Sequence, residues 1–342
     1  MATVAIDNAE PTSIWTGVFW KVISCAFFAG INALARYLAG GSNMPLEQPL
    51  PVYTIMFFQN MLGSSLLLLI FLQQNNAWKT NINLKQLLPQ LLPNRNYWLH
   101  FIRVASAALG VGLWYLSLKH MPITEVVALS FIAPTLTVLG AIILLKEKIT
   151  WQRIAAFLLT TCGGFLMTRP DLKLQHATIS WIMLLPLLAA LIFAFDKLLT
   201  RKLLALGESP LCVTFVLLAF MAPVSLTPCL YLDWITPSAS NWPWLGLLAL
   251  LGVGAHFSFS KAYHYAEVTA LLPFGMSKIV LCSVIGYLAF GEYPRSLELW
   301  LGIILLTGCT IIFKYHPEKA PIKCCNNLGN CPTIYNGKDN NL

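Results

Sequence analysis

Residues 109–119 read LGVGLWYLSLK, and residues 251–261 read LGVGAHFSFSK. Both stretches begin with the same tetrapeptide and end with a lysine. Further matches follow in the same order along the two halves of the chain: Thr124 with Thr269, Leu136 with Leu281, Glu147 with Glu292, and Gly163 with Gly308. Ordered matches of this kind predict an internal repeat.

Both stretches lie within long apolar runs. The chain has 342 residues, of which 57% are hydrophobic and 11% are charged, a composition typical of a membrane protein. Each run is close to the roughly 20 residues that cross a bilayer as a helix. We predict ten membrane-spanning helices, at 15–38, 52–72, 97–118, 123–145, 151–168, 179–199, 211–232, 243–265, 268–290 and 297–313.

The predicted fold is an all-α integral membrane protein. In lipid, backbone groups find partners only within helices or closed barrels, and these runs lack the period-two alternation of barrel strands. We expect a cytosolic N-terminal segment at 1–14, five-helix repeats at 15–168 and 179–313, and a disordered cytosolic tail at 314–342.

The number of spans per repeat sets the relation between the repeats. Because five is odd, the second repeat enters the membrane with the opposite orientation. This inverted arrangement is typical of secondary transporters, which expose a central site to alternate sides of the membrane. The alternative is that gene duplication produced a helical bundle without transport activity.

The net charge of +8 is explained by topology. With both termini in the cytosol, most Lys and Arg residues fall in cytosolic loops, which is the positive-inside pattern. We therefore expect no nucleic-acid partner and a multi-pass protein of an inner membrane.

The ends of the fourth span of each repeat resemble a known family. Residues 144–153 (LLKEKITWQR) and 289–293 (AFGEY) are similar to the drug/metabolite transporter superfamily, in the form with two EamA-type halves. A subset of positions resembles the bacterial S-adenosylmethionine uptake transporters: His100-Phe101-Ile102-Arg103, Trp114, Pro122-Ile123-Thr124, Ser130-Phe131, Pro134 and Lys197-Leu198.

The resemblance implies a secondary transporter of a bacterial inner membrane, with S-adenosylmethionine uptake as the first expectation. An exporter of amino acids or related metabolites is the alternative, and a membrane-embedded enzyme is a remote one. Gly-Lys-Ser/Thr, HExxH and GxSxG motifs are absent from the sequence, which argues against ATP-driven transport and hydrolase chemistry. We expect a transporter and no enzyme. A coupling ion, a counter-substrate and the oligomeric state are left open.

Charged residues deep in the spans are candidates for substrate binding, because a mid-bilayer charge costs about 3 kcal/mol. Arg103 either faces a central cavity or extends to the lipid headgroups, and Lys278 is expected in the cavity. Glu125 could pair with these cations, take up a proton or lie at the headgroups. We expect Lys21 to extend to the headgroups, and Glu147 and Glu292 to act as structural caps.

Aromatic residues and helix breakers complete the predicted site. Trp114, Phe131 and Phe274 could stack on a planar ring or hold a cation, although most such residues form interfacial belts. Pro134 and Pro273 remove backbone hydrogen bonds to the carbonyls of Ser130 and Thr269, which could then bind substrate or simply mark kinks. The paired glycines of the repeat are interpreted as positions of close helix packing: Gly110 with Gly112, and Gly252 with Gly254.

The nine cysteines do not predict a disulfide framework. Cys25, Cys162, Cys212, Cys229, Cys282 and Cys309 lie inside spans, where Cys acts as a small hydrophobic residue. The other three lie in the predicted cytosolic tail, a reducing environment. We therefore expect no metal site and no cofactor.

Overall fold

A computed structural model describes residues 14–40, 48–74, 91–93, 96–120, 129, 133–147, 151, 154–155, 158, 181–231 and 234–290. The described segments form nine α-helices: α1 (Ile14–Leu38), α2 (Val52–Gln74), α3 (Tyr97–His120), α4 (Ala133–Leu145), α5 (Leu184–Ala205), α6 (Pro210–Tyr231), α7 (Trp242–Tyr265), α8 (Val268–Leu271) and α9 (Ser277–Phe290). Short 3-10 turns lie at Trp181–Met183, Ala239–Asn241 and Pro273–Met276.

The helix bounds follow the apolar runs closely. Among the described residues, four segments are long and apolar enough to cross a membrane: Ile14–Ala35, Val52–Gln73, Pro210–Tyr231 and Ala239–Tyr265. The described part of the chain contains helices and no strands. The predicted all-helical membrane fold is confirmed. Most of the run predicted at 151–168 and all of the run predicted at 297–313 lie outside the described residues.

The helix contacts have an approximate twofold symmetry. Helix α1 packs mainly against α7 and α9, while α5, which begins the second half, packs mainly against α3 and α4. Helices α2 and α6 pack against each other. The first helix of each half therefore packs against the third and fourth helices of the other half, as two related repeats require.

Three of the repeat glycines, Gly110, Gly252 and Gly254, lie at close helix contacts, and a Cβ atom on Gly252 would lie 2.9 Å from the Gln59 Nε2 on α2. A Cβ atom on Gly110 would lie 2.9 Å from the Phe193 ring on α5, and one on Gly254 would lie 2.9 Å from the Phe27 ring on α1. A side chain at either position would push these helices apart. The interpretation as packing residues holds there, whereas Gly112 has open space around it.

The run predicted as one span at 268–290 is interrupted. Helix α8 is followed by the 3-10 turn at Pro273–Met276, and α9 begins at Ser277. Proline lacks the N–H that would donate to the Thr269 carbonyl, so a continuous helix loses a hydrogen bond at this point. The interruption places Lys278 in the first turn of α9.

Glu147 caps the N-terminus of α8 from the other half of the protein. Its carboxylate accepts hydrogen bonds from the Val268 N–H at 3.1 Å, the Thr269 N–H at 3.2 Å and the Thr269 hydroxyl at 2.8 Å. Unpaired N–H groups at a helix start favour such an acceptor. Glu147 is therefore a structural cap, as its position in the sequence suggested, but the helix that it caps is distant in the chain.

Candidate functional site

The candidate site begins with Lys21, which the sequence analysis assigned to the headgroups. That assignment is wrong: Lys21 is 7% exposed, and its ammonium donates a hydrogen bond to the Tyr263 hydroxyl at 3.3 Å. Its Nζ also lies 4.6 Å from the centroid of the Phe259 ring and 4.9 Å from that of Tyr263. The ammonium is therefore held inside the bundle between α1 and α7.

Three aromatic rings connect Lys21 to Lys278. The Phe259 ring centroid lies 4.5 Å from that of Tyr263 and 6.3 Å from that of Phe28, both edge to face. The Lys278 Nζ lies 5.5 Å from the centroid of Phe28. We call Phe28, Phe259 and Tyr263 the aromatic ladder. An ammonium therefore lies near each end of the ladder, a cation–π arrangement.

A third ammonium, on Lys197 of α5, completes a lysine cluster of Lys21, Lys197 and Lys278. Lys197 is half-buried, and the charges that act on it are Lys21 and Lys278 with the same sign and Asp196 with the opposite sign. Charges of like sign repel more strongly in a low-dielectric interior than in water. The cluster therefore favours a negative or oxygen-rich group between the helices.

Arg103 lies beside this cluster but is already engaged. It is 2% exposed, its Nε lies 3.5 Å from the Asp196 Oδ1, and a terminal N–H donates to the Val213 carbonyl at 2.7 Å. The guanidinium points into the bundle and away from lipid. Arg103 is paired with Asp196, a carboxylate that also acts on Lys197. The ion pairs between described residues, Arg103–Asp196 and His100–Glu208, do not include these lysines.

Trp114 of α3 adds a further ring to the site where it packs against Phe193 of α5. Its ring centroid lies 6.3 Å from that of Phe193, at an angle of 62°. Phe193 precedes Lys197 by one helical turn, so the two side chains share a face of α5. Trp114 and Phe193 are both half-buried. They place a planar surface next to the lysine cluster.

The other predicted site residues fall into three groups. Phe274 packs in a buried cluster with Leu203, Val213 and Leu271, and Thr269 binds Glu147. Pro273 begins the 3-10 turn, and Pro134 is the second residue of α4. Outside the described residues lie Glu125, Ser130 and Phe131.

The turn at Pro273–Met276 offers carbonyls to protein donors. The Ser277 hydroxyl donates to the Phe274 carbonyl at 2.6 Å, and the Cys25 thiol lies 3.7 Å from the Gly275 carbonyl oxygen. Side chains of α1 and α9 contact the Phe274 and Gly275 carbonyls, which help hold the interruption in place. The carbonyls predicted as substrate ligands were those of Ser130 and Thr269, and Ser130 lies outside the described residues.

The sequence analysis missed Lys197 and Lys21 as members of the site. Lys197 was named only through the resemblance to the uptake transporters, and Lys21 was expected at the headgroups. The signal that selected Arg103, a lone cation inside an apolar run, applies equally to Lys21. Phe28 and Phe259 carry no such signal, because aromatic residues are common throughout these helices.

Comparisons with known proteins identify the family. The model of the EamA-like transporter family matches residues 15–169 and 180–314. The chain belongs to this family. The superfamily expected from the sequence resemblance is confirmed, and the chain is a multi-pass inner-membrane transporter of a small molecule.

The relatives of this EamA protein have different substrates. A riboflavin transporter of Rhizobium johnstonii is 28% identical over 302 residues, 88% of this chain and 92% of the relative. An S-adenosylmethionine uptake transporter of Rickettsia prowazekii is 25% identical over 305 residues, 89% and 94% of the two chains. A pseudopaline exporter of Pseudomonas aeruginosa is 21% identical over 295 residues, 86% and 94%.

A solved crystal structure is similar in fold. It superposes with a TM-score of 0.63 at 17% sequence identity and covers 86% of this chain and 96% of that chain. Similarity at this level of identity concerns the fold alone. It agrees with the all-helical architecture described above.

Proposed function

We propose that this protein is a secondary transporter that takes up S-adenosylmethionine by alternating access, with the lysine cluster and the aromatic ladder as its binding site. The observation that carries the proposal is a row of rings inside the bundle with an ammonium near each end, on Lys21 and Lys278, and with Lys197 within electrostatic range of both. S-adenosylmethionine carries a carboxylate that suits the ammonium groups. Its adenine is a planar ring that suits the aromatic ladder and Trp114.

The charges of the substrate determine how it can lie in the site. The sulfonium and amino groups of S-adenosylmethionine add positive charge to a site that already holds three lysines. Asp196 is the carboxylate beside Lys197, and it is 18% exposed. Binding therefore places the sulfonium toward Asp196 and the rings, and the carboxylate toward Lys21 and Lys278.

Riboflavin is the second candidate, because it adds no positive charge to the site. Its isoalloxazine ring is planar and uncharged, so it meets no repulsion from the lysine cluster. The ring carbonyls and ribityl hydroxyls can accept hydrogen bonds from ammonium groups. The relatives include riboflavin transporters, of which one is 28% identical to this chain.

Uptake into proteoliposomes tests the proposal. Purified protein is reconstituted, and accumulation of labelled S-adenosylmethionine and labelled riboflavin is measured for the natural protein, Lys197→Gln and Lys278→Gln. Lys261→Gln is the matched control, because the Lys261 Nζ lies 5.7 Å from the Tyr265 ring and 5.8 Å from the Phe257 ring, outside the cluster.

We expect S-adenosylmethionine uptake with an unchanged KM in Lys261→Gln. A charge-assisted hydrogen bond contributes about 1.5–3 kcal/mol, so each cluster variant should raise KM by about tenfold or more. Riboflavin uptake without S-adenosylmethionine uptake would select the second candidate. Accumulation of neither compound above that in empty vesicles would contradict both.

A further inference from the structure

Three metal-ligating side chains, those of His100, Glu208 and Cys212, meet where α3 and α6 begin. The His100 Nε2 lies 4.0 Å from the Glu208 Oε2, and the Cys212 Sγ lies 3.5 Å from the same oxygen. One ligand atom from each residue lies within 4.8 Å of the others. Neighbouring ligands of a tetrahedral ion bound at about 2.0–2.3 Å lie about 3.3–3.8 Å apart, so the separations of 3.5 Å and 4.0 Å require only a small adjustment.

Local sequence explains how Glu208 and Cys212 are placed. Gly207, with φ of +91°, ends α5 in a left-handed turn that L side chains rarely adopt. The Ser209 hydroxyl then accepts the Cys212 N–H at 3.0 Å, and Pro210 is the first residue of α6. This is a typical Ser-Pro helix start, and it sets Cys212 one turn into α6 beside Glu208.

The imidazole of His100 is buried, and its ring nitrogens lack hydrogen-bond partners among the described residues. The side chain is 3% exposed. Buried polar atoms in folded proteins nearly always have a partner, and an unpaired one is costly. The ring is instead directed at the carboxylate of Glu208, at a distance too long for a hydrogen bond.

The donor set suits a divalent transition-metal ion. Imidazole nitrogen, thiolate sulfur and carboxylate oxygen are the ligands that zinc uses in proteins. Glu208 and a Cys212 thiolate together carry two negative charges, which balance a divalent ion. Arg103 is close by, but its charge is already balanced by Asp196.

A further polar side chain orients the carboxylate. The Asn96 amide donates a hydrogen bond to the Glu208 Oε1 at 3.1 Å, which leaves the Oε2 directed at His100 and Cys212. Carboxylate ligands of metal ions are commonly held by such a hydrogen bond.

We propose that His100, Glu208 and Cys212 form a binding site for one divalent transition-metal ion, of which Zn²⁺ is the best match. Binding displaces the thiol proton of Cys212 to solvent and forms a metal–sulfur bond. Because α3 belongs to the first repeat and α6 to the second, the bound ion joins the two halves at one end of the bundle.

Cobalt substitution tests the site independently of transport. Full-length protein in detergent is stripped with a chelator and titrated with Co²⁺ alone, and binding is followed by metal analysis and by the sulfur-to-cobalt charge-transfer band. The variants are Cys212→Ser, His100→Gln and Glu208→Gln. Cys229→Ser is the matched control, since Cys229 is a buried cysteine of the same helix whose thiol binds the Ser225 carbonyl. Size-exclusion chromatography confirms that each variant is folded.

We expect one Co²⁺ per chain, a charge-transfer band, and displacement of the ion by Zn²⁺. Loss of a partner outside the metal's own ligands weakens affinity by about 10- to 100-fold, so His100→Gln and Glu208→Gln should weaken it by at least about tenfold. Cys212→Ser should abolish the band and Cys229→Ser should keep it. Absence of bound Co²⁺, or a band that persists in Cys212→Ser, would overturn the proposal.

Discussion

Single charged residues inside these helices are explained by their partners. Arg103 is recognisable in the sequence as a buried cation, because it lies inside an apolar run. Its partner Asp196 lies in the other half of the chain, so no local pattern reveals the pair. The position of Lys21 in the sequence did not reveal its burial for the same reason. Tyr263 and Phe259, which hold its ammonium, are distant in sequence.

The Arg103–Asp196 pair predicts a large stability effect for single substitutions. Removing one partner of a buried ion pair leaves an uncompensated charge and costs about 3–5 kcal/mol. We therefore expect Arg103→Met and Asp196→Leu each to lower the free energy of unfolding by this amount. Titration of the purified protein with sodium dodecyl sulfate, followed by circular dichroism, measures the change.

The double variant separates pairing from packing. Arg103→Met combined with Asp196→Leu replaces both charges with apolar groups of similar size, which is often nearly neutral. We expect it to recover most of the stability lost in either single variant. Additive losses in the double variant would mean that the two charges act independently.

At the scale of helices, two glutamates are placed by left-handed residues at helix ends. Gly207 ends α5 before Glu208, and Lys146, with φ of +53°, ends α4 before Glu147. The Glu147 N–H donates to the Ala141 carbonyl at 3.2 Å, which closes the end of α4. A left-handed conformation costs a non-glycine residue about 1–2 kcal/mol. At Lys146 this cost is offset by the cap that Glu147 provides on α8.

Glu147 could be predicted as a cap because it ends an apolar run. The sequence did not show which helix it caps, because its N–H donors, at Val268 and Thr269, come from the second repeat. The interruption at Pro273 was visible as a proline inside an apolar run. Its exact form was not, because a proline inside a span is compatible with a simple kink.

Glu147 predicts a linked loss of stability and transport. Replacing the carboxylate in Glu147→Ala leaves two N–H groups and one hydroxyl of α8 without an acceptor. Three such bonds to a charged group predict a loss of about 2 kcal/mol or more in the free energy of unfolding. Uptake should also fall, because α8 and the turn after it position Lys278.

Two companion variants make this prediction specific. Thr269→Val removes one of the three donors and should produce a smaller loss in the same direction. Lys146→Gly relieves the left-handed strain and should raise the free energy of unfolding by about 1 kcal/mol. Unchanged stability in Glu147→Ala would show that the cap contributes little.

At the scale of the whole molecule, the internal repeat was readable because it rests on residue order, and the contacts of α1 and α5 follow it. The lysine cluster was not readable, because Lys21, Lys197 and Lys278 come from three separate helices. Neither was the cluster of His100, Glu208 and Cys212. Distances between helices are set by packing across the bundle, and one sequence carries no direct record of them.

The inverted repeat makes a prediction that compares two equivalent glycines. Gly40 and Gly207 follow α1 and α5, the first helices of the two repeats, and both have positive φ, at +76° and +91°. In a parallel duplication these turns would face the same side of the membrane. In an inverted one they face opposite sides, and the basic residues Arg201 and Lys202 predict that Gly207 lies on the cytosolic side.

Reporter fusions measure this directly. Alkaline phosphatase fused after Gly40 should be active, since it folds outside the cytosol, whereas the same fusion after Gly207 should be inactive. Green fluorescent protein at the two positions should give the opposite result, which controls for expression. The same reporter activity at both glycines would refute the inverted repeat, because one turn of a repeated unit cannot face a single side in both copies when an odd number of spans separates them.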